Sequence, residues 1–219
     1  MEKTNAIKLV EGFFKPDAAI LADGEYPTSS VALEALEKAP FVVCCDGAAV
    51  KWISEGRMPD AIVGDGDSLP QEIKEKYESV FHWDPDQETN DQTKAVRFLK
   101  SEGKKNILIF GATGKREDHT LGNISLLIKY MEEGQDVRSV TDFGVFVPCS
   151  GNCKFRSFEG QQVSIFNFGA KDLAAEGLKY RIYDFSSWWQ GTLNESLGRE
   201  FTIKATGNYI VFLVFEPKK

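Results

Sequence analysis

Phe41-Val42-Val43-Cys44-Cys45-Asp46-Gly47-Ala48 is the stretch that decides the architecture of the first part of the chain. Five apolar residues with no polar alternation read as a strand buried on both faces. Asp46-Gly47 ends it, and Ala48 to Ser54 runs on with helical spacing until Gly56. The same grammar recurs on either side. Ala18 to Leu21 reads as a strand ending at Ala22-Asp23-Gly24, and Ser29 to Glu37 has helical character. Ala61-Ile62-Val63 ends at Gly64-Asp65, and Val80 to Trp83 is a fourth strand candidate. Asp91 to Lys100 follows as a helix with Ala95, Phe98 and Leu99 on one face. Asn106 to Phe110 ends at Gly111, and the helix after it sets Leu121, Ile124, Leu127, Ile128 and Met131 on one stripe. Strand-helix alternation of this kind predicts an α/β domain with a mostly parallel sheet.

Beyond about Val140 helical periodicity fades. Short alternating segments take over at Cys153 to Phe158, Gln162 to Phe168, Glu200 to Lys204 and Tyr209 to Phe215. Turn pairs separate them, at Glu159-Gly160 and Phe168-Gly169 among others. This predicts a C-terminal all-β sandwich domain, with the division falling between residues 1–143 and 144–219.

The composition bounds the function. With 42% hydrophobic residues among 219, the chain can build an ordinary core. Its formal net charge of -7, with no Lys/Arg-dense run, argues against a nucleic-acid partner. An acidic chain that binds a polyanion needs divalent cations to mediate the contact. The polar start, Met1 to Val10, argues against a signal peptide, and no apolar run approaches the ~20 residues of a membrane span. Cys44 and Cys45 sit in the apolar run as small core residues. Cys149 and Cys153 have loose metal-ligand spacing with no second pair, so all four read as thiols of a cytoplasmic protein.

Ligands of open parallel sheets bind at the carboxyl ends of strands. Here those ends carry Asp46, then Gly64-Asp65-Gly66-Asp67-Ser68, then Asp84-Pro85-Asp86-Gln87-Glu88-Thr89-Asn90-Asp91, then Gly111-Ala112-Thr113-Gly114-Lys115-Arg116-Glu117-Asp118-His119. Each piece has a purely structural reading: Asp46 as a turn residue, Asp65 and Asp67 in a glycine turn, Asn90, Asp91 or Asp118 at a helix start. Their recurrence at one end of successive strands favours a magnesium site, because clustered carboxylates repel unless a cation neutralises them. The Gly111–Arg116 loop opens a helix and suits phosphate, although it lacks the Gly-Lys-Ser/Thr ending of a Walker A loop.

In order and spacing these blocks, together with Lys94-Ala95 and Asn123, resemble the motifs of thiamine pyrophosphokinases. Gly177-Leu178-Lys179-Tyr180 resembles a further segment of that family. The chain departs from it at Asn90, at Lys115, and at Leu193, which stands where a serine is usual. The resemblance implies an α/β catalytic domain, a β-sandwich that helps to bind thiamine, and a homodimer with active sites between subunits. It also implies ATP and Mg²⁺ as reactants, with thiamine diphosphate and AMP as products. Carried over, it makes Asp65, Asp67 and Asp91 catalytic, and Asp46, Asp65, Asp67 and Asp91 the metal set. Asp46, Ser68, Gly111, Thr113, Gly114, Lys115, Arg116, Asp118 and Asn123 become the ATP set, and Gln87, Asp91, Trp189 and Asn194 the thiamine set. Asp91 is left as either proton acceptor or metal ligand. Two other functions stay open: a nucleotide-sugar glycosyltransferase using Asp65-Gly66-Asp67, and a non-catalytic nucleotide or thiamine sensor on the same scaffold.

Overall fold

The computed structural model describes residues 14–216 and divides into two compact units, Lys15–Asp142 and the chain from Phe143 onward. The Met1 to Val10 reading lies outside the described residues. No described helix is long and apolar enough to cross a membrane.

The first unit alternates strand and helix, and the fold class expected for it is borne out. Its strands are β1 (Ala18–Leu21), β2 (Val42–Cys45), β3 (Ala61–Gly64), β4 (Phe81–Trp83), β5 (Asn106–Phe110) and β6 (Asp136–Val140). Its helices are α1 (Ser30–Glu37), α2 (Ala48–Ser54), α3 (Gln71–Lys76), α4 (Asp91–Ser101) and α5 (Glu117–Glu132). The strands lie in the order β6-β5-β1-β2-β3-β4, all parallel. All four residues of β1, β2 and β3 are buried, as their unbroken apolar runs require. Helix starts are capped where the sequence offers a polar oxygen: Ser29 Oγ accepts from Ala32 N–H, and Asn90 Oδ1 accepts from Thr93 N–H. Asp142 ties the turn before α1 to the far end of the unit, accepting from Thr28 N–H and Ser29 N–H at 2.9 Å each.

The stripe expected on α5 holds only in part. Leu127 and Ile128 are buried, joined by Tyr130, whereas Leu121 is 54% exposed. The first turns of that helix are exposed, and its buried side chains come from the later turns. Helix α3 has no buried residue, which is why no apolar periodicity announced it.

The second unit is all-β, in two antiparallel sheets. Strands β7 (Gly144–Ser150), β9 (Gln162–Asn167), β11 (Asn194–Glu195) and β13 (Asn208–Val214) lie in the order β11-β9-β13-β7. Strands β8 (Cys153–Arg156), β10 (Lys171–Glu176) and β12 (Glu200–Thr206) lie in the order β10-β12-β8. Period-two alternation buries Val163 and Ile165 on β9, and Phe201 and Ile203 on β12. Phe201 stacks on Phe155 of the neighbouring strand with ring centroids 4.8 Å apart. Phe201→Ala should therefore cost about 3–5 kcal/mol in urea unfolding followed by tryptophan fluorescence. A loss below about 1 kcal/mol would mean that this ring pair does not hold the small sheet's core.

Candidate active site

The strand order places a topological switch between β1 and β5. From β1 the chain winds through β2, β3 and β4 on one side, then returns to β5 and β6 on the other. At such a point the loops leaving adjacent strands diverge and open a crevice. A cavity of about 430 Å³ lies beside it, between the loop after β1, helix α2 and the glycine loop, lined among others by Asp23, Gly24, Tyr26, Lys51, Gly114 and Lys115. That volume suits a nucleotide-sized ligand. The two loops are stitched together: Gly24 N–H donates to Gly111 O at 2.7 Å, and Glu25 N–H donates to Thr113 O at 2.8 Å. A Cβ on Gly24 would overlap both carbonyl oxygens, so only glycine fits. Gly111, at φ 65°, gives the other side of the seam its turn.

Beside this crevice the carboxyl ends of β2 and β3 converge. Asp46, Asp65 and Asp67 each place a carboxylate oxygen within 4.8 Å of the others'. The sequence dictates the convergence: Asp46 follows β2, Asp65 follows β3, and Gly66 at φ 80° reverses the chain to bring Asp67 back. Asp65 Oδ1 accepts Asp67 N–H at 3.2 Å, and Ser68 N–H donates to Asp46 Oδ2 at 3.0 Å. Asp46 is 2% exposed, and its other oxygen, Oδ1, is buried with no hydrogen-bond partner. Burial pushes the Asp46 carboxyl up to about 6, and the charges of Asp91 and Asp65 add to the push. Its backbone is also unusual, with φ at 20°.

Asp65 is driven the other way, to about 2, first by the Gln87 side-chain hydrogen bond, then by Asp67 N–H and Lys94. Gln87 Nε2 donates to Asp65 Oδ2 at 2.9 Å. Lys94, 2% exposed, extends its ammonium between Asp91 Oδ1 at 3.0 Å and Asp65 Oδ2 at 3.4 Å. Burial works against that ammonium, but the bonds to the two acids outweigh it and raise its pKa. Asp91 therefore stands beside the three-acid group, separated from it by a cation, rather than within it.

The residues of the glycine loop behave differently. Lys115 pairs with Asp23 at 3.0 Å, and Arg116 grips Asp118 at 2.6 Å; all four are exposed. These are exchangeable surface pairs, the first of which lines the cavity. Asn123 is a strut: its Nδ2 donates to Ala112 O at 2.9 Å, and its Oδ1 accepts from Asn90 Nδ2 at 2.8 Å. It ties the loop after β5 to the start of α4.

In the second unit, Trp189 is 75% exposed, whereas Trp188 donates Nε1 to Asn167 O at 3.1 Å and packs against Phe168. Asn194 is buried. Its amide is spent on Tyr180, accepting from the backbone N–H at 3.0 Å and donating to the carbonyl at 2.9 Å. The structure thus gives Asn194 a loop-shaping task and leaves Trp189 as the open surface.

Comparison with known proteins decides the family. Residues 32–139 match the family described as thiamin pyrophosphokinase, catalytic domain, and residues 144–212 match thiamin pyrophosphokinase, substrate-binding domain. The chain belongs to the thiamin pyrophosphokinase family. A relative in Oryza sativa subsp. japonica, thiamine pyrophosphokinase 1, is 29% identical over 207 residues, covering 78% of this chain and 77% of the relative. Thiamin pyrophosphokinase 1 of Caenorhabditis elegans is 35% identical over 104 residues, covering 43% of this chain and 42% of the relative. Among solved structures, the thiamine pyrophosphokinase of Bacillus subtilis superposes with a TM-score of 0.75 at 19% identity, covering 90% of this chain and 97% of that one. The yeast enzyme gives 0.77 at 15% identity, covering 94% and 89%. At these identities the structures establish the shared fold.

Two residue groups of this family member were given no role from sequence, although Lys94 belongs to the motif resemblance. One is Asp23 to Tyr26, which lines the crevice but reads as an ordinary turn. The other is Lys94, whose burial at the site has no one-dimensional signature. Replacing Lys94 by Met leaves Asp65 and Asp91 facing each other without their cation. It should cost about 1–3 kcal/mol in urea unfolding, the part-exposed acids limiting the loss. A neutral result would show that the acids do not need this ammonium.

Asp46 gives a pH-dependent expectation. Its folded pKa, about 6, lies above the ordinary carboxyl value of 3.8, so the folded state binds the extra proton between those two pH values. The charged form is thus disfavoured by folding, and stability falls as pH rises through this window. Asp46→Asn, which also tolerates the backbone angle, should raise stability at pH 7 by about 1–2 kcal/mol without added metal, and the gain should vanish near pH 4. Urea unfolding at both pH values measures it. An equal gain at both would show that charge is not the cause.

Proposed function

We propose that the chain is a thiamine pyrophosphokinase: it moves the pyrophosphoryl group of ATP to the hydroxyl of thiamine, giving thiamine diphosphate and AMP. The observation that carries the reading is the three-carboxylate convergence beside the switch-point crevice, in a chain that both domains of the family match.

The donor set fits a hard divalent cation. It consists of carboxylate oxygens only, and Asp46 Oδ1 is buried without a partner. Asp46, Asp65 and Asp67 would hold Mg²⁺, which when bound offsets the triphosphate charge and polarises the β-phosphorus. The chain's own residues do the rest. The Gly111–Gly114 backbone and the crevice between β1 and β5 seat the nucleotide. Lys115 and Arg116 release Asp23 and Asp118 and turn to the phosphates, an exchange of partners that exposed ion pairs make at little cost. Asn123 keeps the loop in register with α4.

Asp91 takes the acceptor side. Lys94 fixes one of its oxygens, and the second accepts the proton of the attacking hydroxyl. Attack on the β-phosphorus in line then expels AMP, with positioning and electrostatics supplying most of the acceleration. Gln87 acts through Asp65, holding it ionised. Trp189, with its exposed indole, offers the flat thiamine cation an aromatic face. We place the enzyme in the cytoplasm as a homodimer. The absence of disulfides and the exposed apolar side chains of Trp189, Leu193 and Leu197 support that reading.

Incubation with ATP, Mg²⁺ and thiamine should give AMP and thiamine diphosphate in equal amounts. Asp67→Asn should lower the rate on the order of 100-fold while the far-ultraviolet circular dichroism stays unchanged. Release of ADP would make the protein a simple kinase, and binding without any nucleotide product would make it a sensor. Parental activity in the Asp67 variant would remove that residue from the site.

A further inference from the structure

Helix α4 carries a second cation about one turn beyond Lys94. Arg97 spans two carboxylates of the loop that joins β4 to α4. Its Nη1 donates to Asp86 Oδ2 at 2.8 Å, and its Nη2 donates to Asp84 Oδ2 at 2.9 Å. Those two acids in turn hold the main chain of the loop. Asp84 Oδ1 accepts from Asp86 N–H at 3.1 Å, and Asp86 Oδ1 accepts from Glu88 N–H at 2.9 Å. The Thr89 hydroxyl donates to Asp86 Oδ2 at 2.8 Å.

The ends of this loop are fixed without Arg97. Asp84 N–H donates to Gly64 O at the end of β3, at 2.9 Å, and Asn90 caps α4. The middle belongs to no strand or helix, and Gln87 stands there. Its side chain reaches Asp65 Oδ2 at 2.9 Å. The residue before Gln87 and the residue after it are both tied into the Arg97 group.

We infer that Arg97 is a positioning residue: by clamping Asp84 and Asp86 it holds the loop between β4 and α4 in the shape that delivers the Gln87 amide to Asp65. Its effect on rate rests on the pyrophosphoryl transfer proposed above, whereas the clamp itself does not.

The geometry separates this group from an ordinary surface pair. An isolated exposed ion pair contributes little. Here one planar fork meets two carboxylates through different nitrogens, and the other oxygen of each carboxylate receives a main-chain N–H. The Arg97 guanidinium is also the foremost cause that holds Asp86 well below the usual carboxylate range, ahead of the Thr89 hydroxyl and the Glu88 amide. A lysine would bring the charge without the fork. The two cations of α4 thus divide the acids. Buried Lys94 touches Asp65 and Asp91 directly, and Arg97 takes Asp84 and Asp86. Arg97 acts on Asp65 only at one remove, through Gln87.

The test uses the full chain. Hydrogen exchange read by mass follows the loop, and steady-state kinetics with ATP, Mg²⁺ and thiamine follow its consequence. In Arg97→Met the amides of residues 84–90 should exchange about 10-fold faster, while those of residues 111–115 stay as in the parent. The kcat should fall about 10-fold with the KM for ATP within about twofold of the parent, because the glycine loop seats the nucleotide. Asp86→Ala removes the clamp from the other side and should do the same. Gln87→Leu should lower kcat by a similar factor. Adding Arg97→Met to it should lower kcat by less than about twofold more, since both changes sever one path. Unchanged exchange at 84–90 would overturn the clamp. Faster exchange with parental kcat would overturn the positioning role. Losses from Arg97→Met and Gln87→Leu that multiply would overturn the route through Gln87. If the parent released no AMP, the reaction reading would fall, and exchange at 84–90 would still decide the clamp.

Discussion

Mutual repulsion of carboxylates at the ends of β2 and β3 is the constraint around which the first unit is built. Three acids with oxygens within 4.8 Å of one another cannot all stay charged in isolation without a cost of several kcal/mol at low effective dielectric. The chain divides the problem. Asp65 is kept ionised by Gln87, by the Asp67 amide and by Lys94. Asp46 is left under burial with one oxygen unpartnered and a raised pKa. Asp67 remains at the surface. One acid is thus charged and held in place, while another keeps its proton up to a pH of about 6 and is charged above it at a cost to stability.

Rigid elements rather than loops fix this arrangement. Asp46 and Asp65 directly follow fully buried strands, so their main chains are fixed by the central ladder. The buried stem of Lys94 rises from α4, which packs against β1, β2 and β3. The glycine loop after β5 is tethered at two points, by the backbone bonds of Gly24 and Glu25 and by the Asn123 strut. The segment from Gly114 to His119 is exposed, and the ion pairs of Lys115 and Arg116 there are exchangeable. Such a division suits the proposed reaction, whose acceleration comes from positioning: the acids at the strand ends are held by the sheet, and the ion pairs of the loop can exchange partners.

What the sequence discloses follows from which properties are local. Apolar runs of the kind seen in Val42 to Cys45 or Asn106 to Phe110 mark buried parallel strands without ambiguity, and the acids at their ends follow at once. Strand order is not local. Asp23 and Gly24 gain meaning only because β5 returns beside β1, which no periodicity in β1 can reveal. Lys94 is hidden for a similar reason: in a helix with a polar face, a buried lysine is spelled like an exposed one. In the second unit, β10 was missed because Lys171–Glu176 buries only Leu173 and its composition favours a helix. β7 was obscured by Pro148, which lacks a backbone donor yet stands opposite Ile210 on β13. The early exposed turns of α5 show the opposite error, an apolar stripe longer than the surface available to cover it.

Asp46 concentrates these themes in one residue. It is buried, its backbone angle is one that L residues seldom adopt, and one of its oxygens lacks a partner. Any one of these features is unfavourable, and an uncharged residue of similar shape would relieve the electrostatic part. Local rules broken together at a strand end, in a sheet that elsewhere obeys them, separate a functional position from a structural one. The turn reading open to Asp46 from sequence does not require this combination, since a turn residue is better placed exposed and hydrogen-bonded. The proposed cation site would give the buried Asp46 Oδ1 the partner it otherwise lacks.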